Sequence, residues 1–176
     1  MRLYLFIFNI NFLNAFVTNA NIVIIKEIIN FNEILINNNL VCHLQSSRIK
    51  SFSSANEKLN RIITPKEPTF PSNVKHDKIN DIYFVPDLIG FRFVFYDKLD
   101  LLKFYHHIMH TKKIMYSKNY INEPKDNGYS AIHIRYKNEY PECPVKQLEC
   151  QLYIIDDYYN SIYGNAKNTK NYSYFY

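Results

Sequence analysis

Cysteine is scarce in this chain, and the few that occur do not fit the structural roles that cysteines commonly take. Only Cys42, Cys143 and Cys150 are present among 176 residues. Three cysteines cannot all pair with one another, and no two of them have the Cys-x-x-Cys spacing of a zinc site. The sequence therefore argues against a disulfide framework and against structural zinc, and it fits a reducing compartment slightly better than a secreted protein.

The chain also lacks an apolar run that could cross a membrane comfortably, because that takes about 20 apolar residues. The run over residues 3–17 is short and is interrupted by asparagines. With Arg2 before it and Ala20 after it, this run predicts either a signal or leader segment over residues 1–20 or the first core helix or strand. A leader would place the protein outside the cytosol or route it to a plastid-like organelle, with no membrane span after removal. A core element would leave it cytoplasmic.

The charge balance is mildly basic. A formal net charge of +5 permits phosphate binding, but by itself it predicts neither a nucleic acid nor a nucleotide partner. The length, together with 47% hydrophobic residues, is typical of one folded domain with its own core.

Hydrophobic periodicity divides the body of the chain into helices and strands. It predicts helices over residues 22–36, 51–63, 97–109 and 156–166, and strands over residues 89–96, 130–136 and 147–155. Three prolines predict a loop over residues 64–77. Helices and strands mixed in this order predict an α+β domain, in which helices flank a mixed sheet.

Two groups of polar residues lie where phosphate chemistry could use them. Arg48, Lys50, Ser54 and Lys58 can neutralise and hydrogen-bond phosphate oxygens, although such a segment by itself is usually a solvated helix start. Asp87 lies just before a predicted buried strand, where its carboxylate can stand at the edge of the sheet. An isolated acid at that position is more often a turn residue.

The last predicted strand carries polar side chains within an apolar run. Alternation places Glu149 and Gln151 on one face and Cys150 on the other. A charged side chain in such a strand is costly unless it is paired, which favours a functional role for Glu149. Such a carboxylate can hold a divalent metal or help to deprotonate a hydroxyl group.

Residues 118–133 form the most informative segment and read KNYINEPKDNGYSAIH. An Asn-Gly pair alone predicts a β-turn. The composite resembles RelA/SpoT-type alarmone synthetases, which have Lys-Asp-Tyr-Ile, then Pro-Lys, Asn-Gly-Tyr and a His four residues after that Tyr. Every fixed position of this pattern is kept except Asn119, where the family has Asp. With the segments around Arg48, Asp87 and Glu149, the resemblance covers roughly residues 47–172 and is greatest to small stand-alone synthetases.

This resemblance implies a nucleotidyltransferase-like fold and Mg²⁺-dependent transfer of pyrophosphate from ATP to the ribose 3′-hydroxyl of GDP or GTP. It makes Asp87 and Glu149 the catalytic residues and metal ligands, and it places Tyr129 against the guanine. The implied nucleotide-binding residues are Arg48, Lys50, Ser54, Lys58, Lys118, Lys125, Asn127, Tyr129, His133 and Gln151. No stable complex with nucleic acid is expected, and a homo-oligomer is left open.

The chain also departs from the family pattern. Tyr153 stands where the family has an arginine, the family's histidine does not follow Ala166, and the chain ends where the family continues into a closing helix. The expected organisation is a leader over residues 1–20 and a synthetase domain, shortened at its C-terminus, over residues 21–176. The departures leave as alternatives a guanine-nucleotide-binding module without turnover and an enzyme that transfers pyrophosphate to an RNA 3′ end.

Overall fold

The computed structural model describes the backbone of residues 2–63 and 82–164, and the side chains of residues 15–61 and 82–164. The helices are α1 Arg2–Asn37, α2 Phe52–Ile63, α3 Lys98–Thr111 and α4 Ile155–Tyr163, with a short 3-10 turn at Ile82–Phe84. The strands are β1 Cys42–Ile49, β2 Ile89–Phe95, β3 Ile114–Asn119, β4 Ile132–Lys137 and β5 Gln147–Ile154.

The strands form one five-stranded sheet in the order β1-β2-β5-β4-β3. Strands β2 and β5 are parallel, and the other neighbouring pairs are antiparallel. The predicted α+β architecture with a mixed sheet is therefore confirmed. The loop predicted over residues 64–77 lies outside the described residues.

Strand β2 is buried along its whole length, because side chains from the rest of the protein cover both faces of the sheet. On one face, the Phe31 ring of α1 lies 5.3 Å from the Phe91 ring and 5.0 Å from the Phe93 ring. On the other face, Val94 belongs to a smaller cluster with Tyr153, against which α4 packs through Tyr158. Arg92, Glu149 and Gln151 lie on this second face, which we call the site face.

Two strands were not predicted from the sequence, and both are at the edges of the sheet. Arg48 was assigned to no predicted strand, but it lies on β1, and α2 begins four residues later, close to the predicted start at residue 51. Both edge strands are only partly buried or exposed along their lengths. Their strand conformation comes from hydrogen bonds to β2 and β4, which no local apolar pattern reports.

Helix α1 runs without interruption through the segment that was predicted to be either a leader or a core element. Ala20 and Val23 are fully buried, and the ring of Phe16 lies 5.7 Å from that of Tyr83. The described part of this segment therefore packs on the core, and removal of residues 1–20 stays a prediction. Within the described residues, no helix combines the length and apolar character that crossing a membrane requires.

A buried carboxylate on α1 ties this helix to the sheet. Glu27 is 1% exposed, and it accepts hydrogen bonds from Lys112 Nζ at 2.7 Å, Tyr136 OH at 2.8 Å and Tyr140 OH at 2.7 Å. Burial, followed by the negative charge of Glu27, raises the pKa of Tyr136, so its phenol stays protonated as a donor. This network fixes the position of α1 against the end of β4.

Candidate functional site

The pairing of the strands sets polar side chains in rows across the site face. In the first row, Glu149 of β5 is the register partner of Gly90 on β2 and of Arg135 on β4. Gly90 is in turn paired with Arg48 on β1. Residues that are paired across neighbouring strands share a face of the sheet, so the side chains of Arg48, Glu149 and Arg135 all lie on the site face.

The second row is one step further along the sheet. Gln151 of β5 is paired with Arg92 on β2 and with His133 on β4, and His133 is paired with Lys118 on β3. The predicted alternation of the last strand is confirmed, because Gln151 and Glu149 share the site face while Cys150 is fully buried among the core residues. The sheet thus brings together residues from widely separated motifs.

Asp87, just before β2, is surrounded by the basic residues of the first motif. Its carboxylate lies 2.8 Å from Lys50 Nζ, 2.9 Å from Lys58 Nζ and 3.9 Å from an Arg48 guanidinium nitrogen. Burial alone raises the pKa of Asp87, but the nearby ammonium groups of Lys58 and Lys50 outweigh it and lower that pKa to about 2. The carboxylate is therefore ionised, and these cations together carry more charge than it neutralises, which suits a polyphosphate.

Asp87 should make the folded state less stable in strong acid. Its folded pKa of about 2 lies below the ordinary value of 3.8, so its stabilising contribution is complete above about pH 4 and is lost as the pH falls towards 2. The shift corresponds to about 2 kcal/mol. Urea unfolding measures the stability that each protein loses between about pH 5 and about pH 2.5. The wild type should lose about this much more than the Asp87→Asn variant, which has no carboxyl group to titrate at this position. Equal losses in both proteins would contradict this assignment.

The remaining residues of the first motif lie at the start of α2. Ser51, the residue before this helix, accepts a hydrogen bond from the Ser54 amide at 3.3 Å, and it donates to the Ser54 hydroxyl at 3.0 Å. Ser51 therefore acts as a helix cap. The predicted phosphate ligand Ser54 lies in the first turn, where helix amide groups favour anions.

Glu149 belongs to a closed ring of five hydrogen-bonded side chains. The bonds join Tyr129 OH to His133 Nε2 at 2.7 Å, His133 Nδ1 to Glu149 Oε1 at 3.2 Å, Gln151 Nε2 to Glu149 Oε2 at 3.2 Å, Tyr153 OH to Gln151 Oε1 at 3.3 Å and the Tyr129 and Tyr153 hydroxyls at 2.7 Å. This ring holds Glu149, which is 6% exposed, in one orientation on the site face.

The side chain of Glu149 determines the hydrogen-bonding role of the nearer imidazole nitrogen of His133. A carboxylate only accepts hydrogen bonds, so Nδ1 of His133 must donate to it. The Tyr129 hydroxyl has one proton, which it can donate either to Nε2 of His133 or to the hydroxyl of Tyr153. The His133–Glu149 pair has the arrangement in which a carboxylate orients an imidazole.

Tyr129 does not present an open ring in this conformation. Its side chain is 4% exposed, and Lys125 Nζ lies 4.7 Å from the centroids of both its ring and the Tyr120 ring. Stacking of Tyr129 on guanine stays a prediction, and it would require the Lys125 ammonium group to move away from the ring. Such a movement is fast, because an exposed lysine side chain changes rotamer readily.

Two of the three asparagines in the 118–133 segment, Asn119 and Asn127, hold its loops. Oδ1 of Asn127 accepts from the Tyr129 amide at 3.2 Å, and Gly128 takes a φ of 76°, which glycine adopts without strain. Oδ1 of Asn119 accepts from the amides of Ile121 at 3.0 Å and Asn122 at 3.2 Å. The family's aspartate could accept both bonds equally well, so the departure at Asn119 preserves the loop.

Several side chains of the site were not among the predicted catalytic, metal-binding or nucleotide-binding residues. Tyr120 packs edge-on against His133, with ring centroids 5.7 Å apart. The guanidinium of Arg92 lies 5.3 Å from the centroid of Tyr153. Arg135 follows His133 by two residues, a spacing that places both on one face of a strand and that could have identified it. The positions of Tyr120 and Arg92 depend on pairing between strands.

A metal site made by the protein alone is not visible in the described part of the chain. No cluster of three or more His, Cys, Asp or Glu side chains there could hold an ion. Asp87 and Glu149 nevertheless provide two carboxylates on the site face. The Arg48 side chain lies over Gly90 on this face, and it also approaches the Asp87 carboxylate. Carboxylate oxygens are the donors that Mg²⁺ prefers, usually shared with substrate phosphates.

A match to a protein family covers most of the chain. The family described as "Region found in RelA / SpoT proteins" matches residues 47–172. No curated protein sequence gives a significant match to the chain.

Solved structures show the same fold at low sequence identity. Small alarmone synthetase 1 from Bacillus subtilis, bound to its product pppGpp, has a TM-score of 0.61 and 16% identity over 92% of this chain and 81% of that chain. Small alarmone synthetase 2 from the same organism has a TM-score of 0.61 and 19% identity over 81% and 72%. A GTP pyrophosphokinase family protein from Streptococcus pneumoniae has a TM-score of 0.57 and 19% identity over 85% and 70%.

Proposed function

Since this chain belongs to the RelA/SpoT family, we propose that it is an alarmone synthetase that transfers pyrophosphate from ATP to the ribose 3′-hydroxyl of GDP or GTP. The observation that carries the proposal is the placement of Glu149 between two basic groups of the site face. Arg48 lies across Gly90 on one side of it, and the β4 and β3 residues lie on the other.

The half of the site around Asp87 fits the ATP polyphosphate. Arg48, Lys50 and Lys58 converge on one carboxylate, which holds them in place before the nucleotide binds. Their positive charge offsets the repulsion between the polyphosphate oxygens and favours binding.

The other half fits the guanine nucleotide. Lys118 is the register partner of His133, and Lys125 lies over the rings of Tyr120 and Tyr129. When Lys125 turns towards a phosphate, it uncovers an aromatic surface on which a base can stack.

Glu149 is placed to act as the general base. The 3′-oxygen forms a bond to the β-phosphorus of ATP while the bond from that phosphorus to the α–β bridging oxygen breaks, and AMP leaves with the electron pair. The 3′-hydroxyl proton passes to the Glu149 carboxylate, which His133 and Gln151 hold in position. Positioning and charge neutralisation supply most of the catalysis in such transfers.

Mg²⁺ completes the proposed site. Asp87 and Glu149 would hold it, and the ion would neutralise charge on the phosphate oxygens. In the described structure Asp87 is bonded to lysines, so ion binding requires these side chains to turn towards the nucleotide.

Incubation of the purified chain with ATP, GDP and Mg²⁺ tests the proposed function. We expect release of AMP together with a guanosine 3′-pyrophosphate, separated by ion-exchange chromatography. Binding of both nucleotides without AMP release would instead establish a binding module without turnover. Transfer from labelled ATP to tRNA but not to GDP would establish an RNA 3′ end as the acceptor.

Two substitutions of Tyr129 distinguish the contribution of ring stacking to GDP binding from that of hydrogen bonding. Tyr129→Leu should weaken GDP binding about 10–100-fold, because base–aromatic stacking contributes about 1–3 kcal/mol, and ATP binding should change little. Tyr129→Phe keeps the ring while losing the bonds to His133 and Tyr153, so it should retain most of the affinity. Calorimetric titration of both variants measures this difference. Equal GDP affinities in the two variants would show that the ring does not stack on guanine.

A further inference from the structure

Arg135 is a cation of the site face that has no role in the proposed mechanism. It lies on β4 as the register partner of Glu149 on β5 and of Tyr116 on β3. It therefore occupies the acceptor half of the face, on the side of Glu149 away from Arg48 and the cations around Asp87.

The guanidinium of Arg135 is held in place, and no carboxylate among the described side chains forms an ion pair with it. Its central carbon lies 4.4 Å from the centroid of the Tyr116 ring, a stacked arrangement that leaves the edge of the guanidinium available to oxygen atoms. Its Nε is buried, and no described residue accepts a hydrogen bond from it. A buried donor without an acceptor costs about 1–3 kcal/mol, which a protein tolerates where a ligand later supplies the acceptor.

A second cation lies beside Arg135 on the same face. Lys118 is two residues from Tyr116 on β3, and its register partner His133 is two residues from Arg135 on β4. Arg135 and Lys118 are therefore diagonal neighbours across the two strands, a separation of about 7–8 Å between backbones that long side chains bridge. Two cations at this spacing suit a ligand that carries several phosphate charges.

We propose that Arg135, supported by Tyr116, binds the 5′-phosphate groups of the acceptor guanine nucleotide beside Glu149. The inference rests on the proposed function for the identity of the acceptor. The planar guanidinium donates two parallel hydrogen bonds to phosphate oxygens, and Lys118 neutralises the adjacent charge. The acceptor is thereby anchored next to the carboxylate that takes its 3′-hydroxyl proton.

Equilibrium binding of guanosine, GDP, GTP and ATP to the full chain tests the inference without requiring turnover. Arg135→Met should weaken GDP and GTP binding about 10–100-fold, as expected for loss of a charge-assisted bidentate contact, and should leave guanosine and ATP binding unchanged. Arg135→Lys keeps the charge but loses the planar fork, so it should show a smaller loss. Circular dichroism reports whether each variant is folded. If Arg135→Met folds poorly, Arg135→Lys provides the test as the milder change.

Lys103→Met is the matched control for the loss of one positive charge. Lys103 is exposed on α3 and pairs with Asp100 at 3.6 Å, and α3 packs against the opposite face of the sheet through Phe104. Unchanged GDP affinity in Arg135→Met, or equal weakening of ATP or guanosine binding, would overturn the inference. Absence of AMP release from the wild-type chain would instead count against the proposed synthetase and leave the binding comparison decisive for Arg135.

Discussion

Replacement of Glu149 by glutamine is expected to lower kcat for pyrophosphate transfer by about 10²–10⁴-fold, the usual contribution of a general base. The amide has nearly the size of the carboxylate but cannot take up the 3′-hydroxyl proton. It also removes the negative charge to which His133 Nδ1 donates at 3.2 Å. We expect GDP and ATP to bind with affinities close to those of the wild type.

AMP release, followed by chromatography under saturating nucleotide, measures this loss. Glu33→Gln makes the same chemical change at an exposed position of α1 and should leave activity unchanged. Retention of more than about one tenth of wild-type kcat by Glu149→Gln would rule out Glu149 as the base. In that case the carboxylate would have a positioning role only.

The largest effect on stability is expected on the opposite face of the sheet. Glu27→Ala should lower the free energy of unfolding by about 3–5 kcal/mol, as for other buried ion pairs that lose one partner. The change leaves the Lys112 ammonium group, whose side chain is 16% exposed, without its carboxylate. It also removes the acceptor for the hydroxyl groups of Tyr136 and Tyr140.

Urea unfolding monitored by circular dichroism measures this change. Glu33→Ala makes the same change on the same helix, so its effect on helix propensity is the same, but the carboxylate that it removes is exposed. It should change stability by less than about 0.5 kcal/mol. Glu27→Gln retains an amide oxygen as acceptor and should lie between the two. Equal stabilities of Glu27→Ala and Glu33→Ala would show that the network contributes nothing.

Strand β4 connects the buried network of Glu27 with the functional site on the opposite face of the sheet. Tyr136 reaches Glu27 from the core face of β4, while His133 and Arg135 project from its site face. The buried network thereby fixes the strand that carries the acceptor half of the site.

The departures from the family pattern differ in what they change. Asn119 keeps the loop that an aspartate would hold, because its side-chain oxygen accepts both amide bonds. Tyr153 replaces a positive charge with a phenol that joins the ring around Glu149. It is 2% exposed, so at this position the chain has exchanged a cation for a hydrogen-bonded ring that orients the proposed base.

The sequence by itself determined the α+β class, the central strands and the family. Strand β2 is apolar except for Gly90 and Arg92, and β5 carries Glu149 and Gln151 at alternate positions, so both strands can be predicted from neighbouring residues alone. The 118–133 segment is recognisable because its fixed positions lie close together in the chain. The two-residue spacing of Glu149 and Gln151 likewise predicts that they share one face of the strand.

Only the tertiary structure decided which residues of different strands meet. The edge strands β1 and β3 have no clear apolar pattern, and their conformation depends on hydrogen bonds to distant partners. The register of those pairings sets Arg48 beside Gly90 and Arg135 beside Glu149, and a shift of one residue would turn both arginines to the other face. Burial of Tyr129 beneath Lys125 likewise depends on packing between segments, which residue spacing within one segment does not encode.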